Sequence, residues 1–412
     1  MGTIVEYLEW RGDITAAQIP YGNVDYLILA CLSYVRLNGI VPWIGEGEIT
    51  IQEAAALYRS AYGDIRNRTS PICVENIPKI LLMAADTKRF GSLRMRNYCY
   101  VRDLGEAVQF SAVEILQEDG TSCISFGGTD TSLAGWKEDL NLSYEVVPAE
   151  VSAAAYLDTI HAGRQEPILL VGHSKGGHLA IYAAAACREE IRSRITRIFD
   201  ADGPGFGRGM IEQLDLYSLR DKIIRIIPVF SVIGCLLEPV AEARIVDSTE
   251  TLLMQHYPLS WKVKGGDFVY CSEVDRKAVK VEKILEEWLE KLDADERKRF
   301  IDELFDILSA AGSDSLKDVM RGNLHDYRTV AARAMRASEE TRKVVELLFK
   351  VAFDNTIRPV MARKAESLNS DRLPDRIRRP LSKIAETLSQ DPDWKTDKNS
   401  AADGTAKETT DT

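Results

Sequence analysis

The sequence predicts an α/β fold: a mainly parallel sheet with helices on both faces, followed by a helical region. Three observations carry this. Pro167-Ile168-Leu169-Leu170-Val171 is a short, wholly apolar run, as expected of a central parallel strand covered on both faces. Strand-like segments alternate with helical ones between residues 112 and 227, the pattern of a layered sheet. Beyond about Asp275 the chain turns helical and heavily charged, with no strand signal.

Taken in order, Val24 to Leu37 carries Leu27, Ile28, Cys31, Leu32 and Val35 at helical spacing. Ile51 to Tyr62 is a second helix, with Thr50 as N-cap and Glu53 completing a capping box. The rest of the first hundred residues reads as helical and irregular. Ala112 to Leu116 and Ser122 to Phe126 read as strands, joined at Glu118-Asp119-Gly120 in a hairpin. Val151 to His161 is helical, Ile168 to Val171 is a strand, and His178 to Cys187 is an Ala-rich helix. Ile195 to Phe199 and Lys222 to Ile227 are further strands. Later, Ile284, Leu285, Trp288, Leu289 and Leu292 mark an amphipathic helix. Phe300, Ile301, Leu304, Phe305 and Leu308 mark the next, and Val344, Val345, Leu348 and Phe349 another. From Asp391 the chain is polar and poor in apolar residues, which predicts disorder. The expected organisation is a domain over 1–274, a helical region over 275–390 and a tail over 391–412.

Composition narrows the function. A net charge of −11 argues against a nucleic-acid partner, which needs clustered Lys and Arg. Cys31, Cys73, Cys99, Cys123, Cys187, Cys235 and Cys271 are scattered, odd in number and without a C-x-x-C pair. They predict reduced thiols in a cytoplasmic protein. Met1 to Trp10 carries Glu6 and Glu9 and lacks a basic stretch before an apolar run, unlike a secretory signal. Ile223 to Ala241 is greasy but contains Arg225, Pro228, Glu238 and Pro239, so no transmembrane segment is expected there.

The strongest local signal is Gly172-His173-Ser174-Lys175-Gly176-Gly177. G-x-S-x-G alone is weak, but here it follows an apolar strand and opens an Ala-rich helix, the context of a nucleophile elbow. The turn strains the serine, and small neighbours let strand and helix approach. The expected fold is therefore an α/β-hydrolase fold. Upstream, Phe126-Gly127-Gly128-Thr129 ends a strand in small residues, with Trp136 and Asp139-Leu140 following. Such a loop offers backbone N–H groups to a tetrahedral oxyanion. The expected donors are the N–H of Thr129 and that of Lys175.

Together these stretches resemble the class 3 (fungal-type) lipases, which carry F-R-G-T/S, W and D-L about 45 residues before G-H-S-L-G-G. Tyr7-Leu8-Glu9-Trp10-Arg11-Gly12-Asp13, Asp202-Gly203-Pro204-Gly205-Phe206 and Gln255-His256-Tyr257-Pro258-Leu259-Ser260-Trp261 further resemble the bacterial, lipase-like Mbeg1-like family. The resemblance spans roughly Met1 to Val263 and does not reach the C-terminal helices. It implies the fold and a lipase-like site, but no substrate. Two departures stand out: Gly127 replaces Arg of the lipase pattern, and Lys175 replaces Leu.

Of five histidines, His173 sits in the elbow and cannot turn back on its neighbour, and His178 lies one helical turn along. His161 ends a polar-faced helix and is expected to be solvated, while His325 belongs to the helical region. His256 follows the last sheet elements, fitting the order serine, acid, histidine, and is the expected general base. The acid is open between Asp202 and Asp200, with Asp202 favoured because it lies further toward the C-terminal edge of the sheet. Glu238 and Asp247 are weaker alternatives. The strand after Asp200 and Asp202 ends in Pro228-Val229-Phe230-Ser231, with a hydroxyl where class 3 lipases place Asp.

Gly203, Gly205, Gly207 and Gly209 fail the G-x-G-x-x-G spacing, and no metal or P-loop motif is present, so no cofactor is implied. The expectation is a lipase- or esterase-like serine hydrolase acting on small-molecule or lipid esters through an acyl-enzyme. The rival is an inactive binding or scaffold protein of the same fold. In either case the C-terminal helices are expected to meet a protein partner or cover the site; no lid is recognisable, although Ser231 to Glu238 is placed where it could cover the site.

Overall fold

The computed structural model describes residues 1–67, 73–103, 108–129 and 146–276, with Glu138, Asn141, Leu142 and a few scattered positions beyond. These lie in one unit of the chain, Met1–Val345. The tail after Asp391, His325 and most of the helices expected after Asp275 fall outside the described residues.

A nine-stranded sheet forms the centre. In spatial order it runs β1 (Glu48–Thr50), β2 (Arg94–Asp103), β3 (Val108–Leu116), β4 (Ser122–Phe126), β5 (Ile168–His173), β6 (Ile195–Ala201), β7 (Ile223–Pro228), β8 (Ala243–Val246) and β11 (Tyr270–Cys271). Val263–Lys264 (β9) and Asp267–Phe268 (β10) pair separately. The four pairings from β4 to β8 are parallel. Those from β1 to β4, and that of β11 with β8, are antiparallel. The expectation of a mainly parallel sheet is thereby corrected to a mixed one. The reason lies partly in the β3–β4 hairpin, since a connection of a few residues can only reverse the chain.

The pleat of β5 divides the interior into two cores. Leu169 and Val171 face one side, and Ile168 and Leu170 the other, as alternation along a strand requires. Helices α1 (Ile4–Arg11), α2 (Asn23–Leu32), α3 (Ile51–Tyr62) and α4 (Lys79–Ala85) contribute to the first core. Helices α5 (Pro148–Ile160) and α6 (Lys175–Ala186) contribute to the second. The capping box at α3 forms as the sequence implies: Glu53 N donates to Thr50 Oγ1 at 3.1 Å, and Thr50 N to Glu53 Oε2 at 2.9 Å. Among the described residues no helix is long and apolar enough to cross a membrane.

Strand β2 is hidden in the sequence because its alternation breaks. Asn97 takes a left-handed φ of 51°, and the register with β3 shifts between Arg96 and Cys99. Such a bulge puts successive apolar residues out of phase.

The helical face is tied together by a buried ion pair. Arg89 Nε and Nη2 each lie 2.7 Å from an Asp25 carboxylate oxygen, and Tyr7 Oη donates to Asp25 Oδ1 at 2.9 Å. Arg89 also donates to the carbonyls of Ile14 and Ile19, so one guanidinium joins α2 to the α1–α2 connection. Replacing Arg89 with Met should strand the Asp25 charge and lower stability by about 3–5 kcal/mol. Urea unfolding of the variant measures this, and a loss under about 1 kcal/mol would show that the pair does not hold the layer.

Candidate active site

Ser174 stands between β5 and α6 with φ 59° and ψ −134°. A non-glycine residue there is strained by about 1–3 kcal/mol and persists only where its surroundings dictate the conformation. Its amide donates to Ala201 O at 2.9 Å, fixing it to the end of β6. Strand and helix approach too closely for side chains. A Cβ on Gly172 would fall 2.0 Å from the Gly176 carbonyl carbon, and one on Gly176 would fall 2.2 Å from Phe126 O. The serine is left at the N-terminus of α6, largely buried at 8% exposure, where the helix dipole favours negative charge.

Asp202 lies one residue past β6, itself at a left-handed φ of 55°. Its amide donates to Ile226 O at 2.8 Å, and its side chain is fully buried. His256, on the short turn Leu252–His256, places Nδ1 2.6 Å from Asp202 Oδ2. Ser231 Oγ donates to the other carboxylate oxygen at 2.5 Å. The hydroxyl at the end of the following strand thus supports a carboxylate contributed by the preceding one. Ser231 to Glu238 is held here as well: Gly205 N donates to Leu236 O, and Phe206 bridges to Glu238.

Two main-chain contacts and one to the Gln255 side chain anchor the segment around His256. His173 Nε2 donates to His256 O at 2.8 Å, Trp261 Nε1 donates to Gln255 O at 2.9 Å, and Phe230 N donates to Gln255 Oε1 at 2.9 Å. The His173 and His256 rings lie 4.7 Å apart. Burial, reinforced by His256, holds the His173 pKa well below the usual imidazole value. The ring is therefore neutral, with Nε2 protonated toward the carbonyl and Nδ1 accepting from Tyr34 Oη at 2.7 Å. Ser174 Oγ and the His256 imidazole are not hydrogen-bonded to one another. In unliganded sites such contacts commonly tighten only around a substrate.

The other candidates separate cleanly. Asp200 does not meet His256, which corrects its place beside Asp202 in the expected acid pair. Its Oδ1 accepts from Gly203 N at 2.9 Å, and its Oδ2 lies 3.4 Å from Arg225 Nε. Simple alternation fails because Asp202 sits beyond the strand in a left-handed turn. Glu238 pairs with Arg208 and Asp247 with Lys262. His178 Nε2 faces Glu150 at 2.9 Å, and its ring stacks on Phe206, a packing role. His161 is buried rather than solvated, and burial lowers its pKa to about 4. It lines a cavity of about 330 Å³ with Arg164, Arg194 and Glu190, at the end of β5 opposite Ser174.

Thr129, buried, follows β4 through Gly127 and Gly128. Beside it, the Lys175 side chain is also buried: Nζ lies 2.7 Å from Glu138 Oε2 and 2.9 Å from both Gln109 O and Gln109 Oε1. Tyr34, Gln109, Glu138 and Ser231 were not legible as site residues, because each acts through a contact distant in sequence. Lys175 was the one available signal, since a lysine within an apolar strand–helix junction demands a buried acceptor.

The sequence matches the Mbeg1-like family over residues 84–306, more than half of the chain. The chain belongs to the Mbeg1-like family. The match contains Thr129, Ser174, Asp202 and His256, so the whole cluster lies within this Mbeg1-like segment. It begins after Tyr34 and continues past Asp275, which corrects the expected extent of Met1 to Val263: the family segment does reach the C-terminal region. No curated protein matches the chain.

Asp200 gives a test with a definite sign. Burial, partly offset by Arg225, raises its pKa from 3.8 to about 6. The folded chain thus favours the neutral carboxyl more than the unfolded chain does. This contribution is complete below about pH 4 and is lost as pH rises through about 6. Going from about pH 4 to pH 7, Asp200→Asn should gain about 2–3 kcal/mol on the parent chain. Denaturant unfolding across that range reads the difference, and parallel stability curves would overturn it.

Proposed function

We propose that this protein is a serine hydrolase of the α/β-hydrolase fold, cleaving carboxylic (acyl) esters in the manner of lipases and esterases. The observation that carries this reading is the 2.6 Å contact of His256 Nδ1 with the buried Asp202 carboxylate, at the sheet edge where strained Ser174 emerges. A carboxylate on Nδ1 fixes the tautomer in which Nε2 is the free base. In the proposed reaction Ser174 Oγ attacks the acyl carbon while His256 Nε2 takes its proton. The N–H groups of Thr129 and Lys175 hold the oxyanion. His256 returns the proton to the departing alcohol, and water, deprotonated by the same imidazole, releases the acid from the acyl-enzyme.

The reading fits small-molecule or lipid esters and needs no cofactor. Cys31, Cys99, Cys123, Cys187 and Cys271 are free thiols, which supports a reducing, cytoplasmic setting. The unformed Ser174–His256 hydrogen bond favours one rival, a non-catalytic binding protein of the same fold. A fluorophosphonate probe, which labels only an activated serine, divides the two. The parent chain should label, and Ser174→Ala should not. Asp202→Asn should lower kcat for a p-nitrophenyl ester by roughly 10⁴, while Asp200→Asn and Glu238→Gln keep most of it. An unlabelled parent chain would leave the binding reading.

A further inference from the structure

A buried ammonium directly after the proposed nucleophile is costly, since an ion pair taken out of water is poor evidence of added stability. What it holds in place is specific. Lys175 Nζ donates to Gln109 Oε1 at 2.9 Å, which fixes the orientation of the Gln109 amide. Gln109 Nε2 is thereby directed to Gly128 O, to which it donates at 3.2 Å. That carbonyl belongs to the same peptide unit as the Thr129 N–H. No cis peptide occurs among the described residues, and in a trans unit the N–H points opposite to the C=O. Anchoring Gly128 O on Gln109 therefore aims the Thr129 N–H the other way. Donation to the carbonyl also polarises the unit and strengthens its N–H as a donor.

Glu138 secures the far end. Its Oε2 takes Lys175 Nζ at 2.7 Å and Gln109 N at 3.2 Å, and its Oε1 takes Ala149 N at 3.3 Å, at the start of α5. We propose that Gln109, held by the buried Lys175–Glu138 ion pair, is a positioning residue of the oxyanion site that sets the direction of the Thr129 N–H. This rests on the hydrolase reading above. Lys175 then serves both donors: its backbone supplies one N–H, and its side chain, through Gln109, orients the other. A leucine, the lipase residue at this position, could do only the first.

The test uses the full chain with Gln109→Leu and Gln109→Glu. The glutamate variant keeps an acceptor for Lys175 but loses the donor to Gly128 O. The proposal predicts that kcat for a p-nitrophenyl ester falls about 10- to 100-fold in both, with KM within about twofold. Affinity for an aryl boronic acid, which forms a tetrahedral adduct, should weaken in proportion to kcat/KM in each variant that thermal unfolding shows to be folded. A purely structural residue would not tie kcat to adduct affinity. A folded Gln109→Glu with near-parental kcat overturns the proposal and leaves the hydrolase reading standing. If neither variant folds, the role is structural and the proposal falls. A parent chain that resists fluorophosphonate removes both.

Discussion

The Asp202–His256 hydrogen bond depends on how the chain leaves β6. Asp202 turns into the left-handed region immediately after Ala201, so its carboxylate reaches toward the loop beyond β8 instead of continuing the strand. Every neighbouring feature helps to hold that turn. Ile226 O, in β7, accepts its amide, and Ser231, past the end of β7, donates to its side chain. Ala201, the residue before it, accepts the amide of Ser174. Two strained residues thus meet through one peptide bond, at the edge of the parallel strands where sites in such sheets collect. Neither conformation would persist without the sheet around it.

Buried polar groups recur wherever elements must be held at a set angle. Arg89 with Asp25 binds the helical layer, Arg225 with Asp200 lies beneath the candidate site, and Lys175 with Glu138 lies behind the loop that carries Thr129. Glu114 takes Arg96, Arg164, Asn97 and Ser122 together. Such clusters add little net stability over apolar packing, but they penalise every arrangement that leaves one member unpaired. Two of them, Arg225 with Asp200 and Lys175 with Glu138, flank the proposed reacting groups, which need a fixed geometry more than a large driving force.

Much of this was legible in the sequence, and what was not has identifiable causes. The run from Ile168 and the glycines around Ser174 announced β5 and the elbow, because sterics there leave little choice of residue. The capping box at Thr50 and the β3–β4 hairpin were equally local. Strand β2 was missed because the bulge at Asn97 breaks its period, and β8 because four residues carry too little pattern. His161 was misjudged, since its burial follows from packing against Ser122 and Glu166, partners no local pattern reveals. The acid was narrowed to two neighbours, and the backbone turn between them decides which one faces His256.

The central claim is that Ser174 takes up an acyl group. Acid-quenching the chain during turnover of a p-nitrophenyl ester, followed by peptide mass spectrometry, tests it most directly. The account predicts an added acyl mass on the peptide bearing Ser174, at no more than one per chain and absent from Ser174→Ala. Turnover with that peptide unmodified and the acyl group on another residue would contradict it, as would an ester left intact.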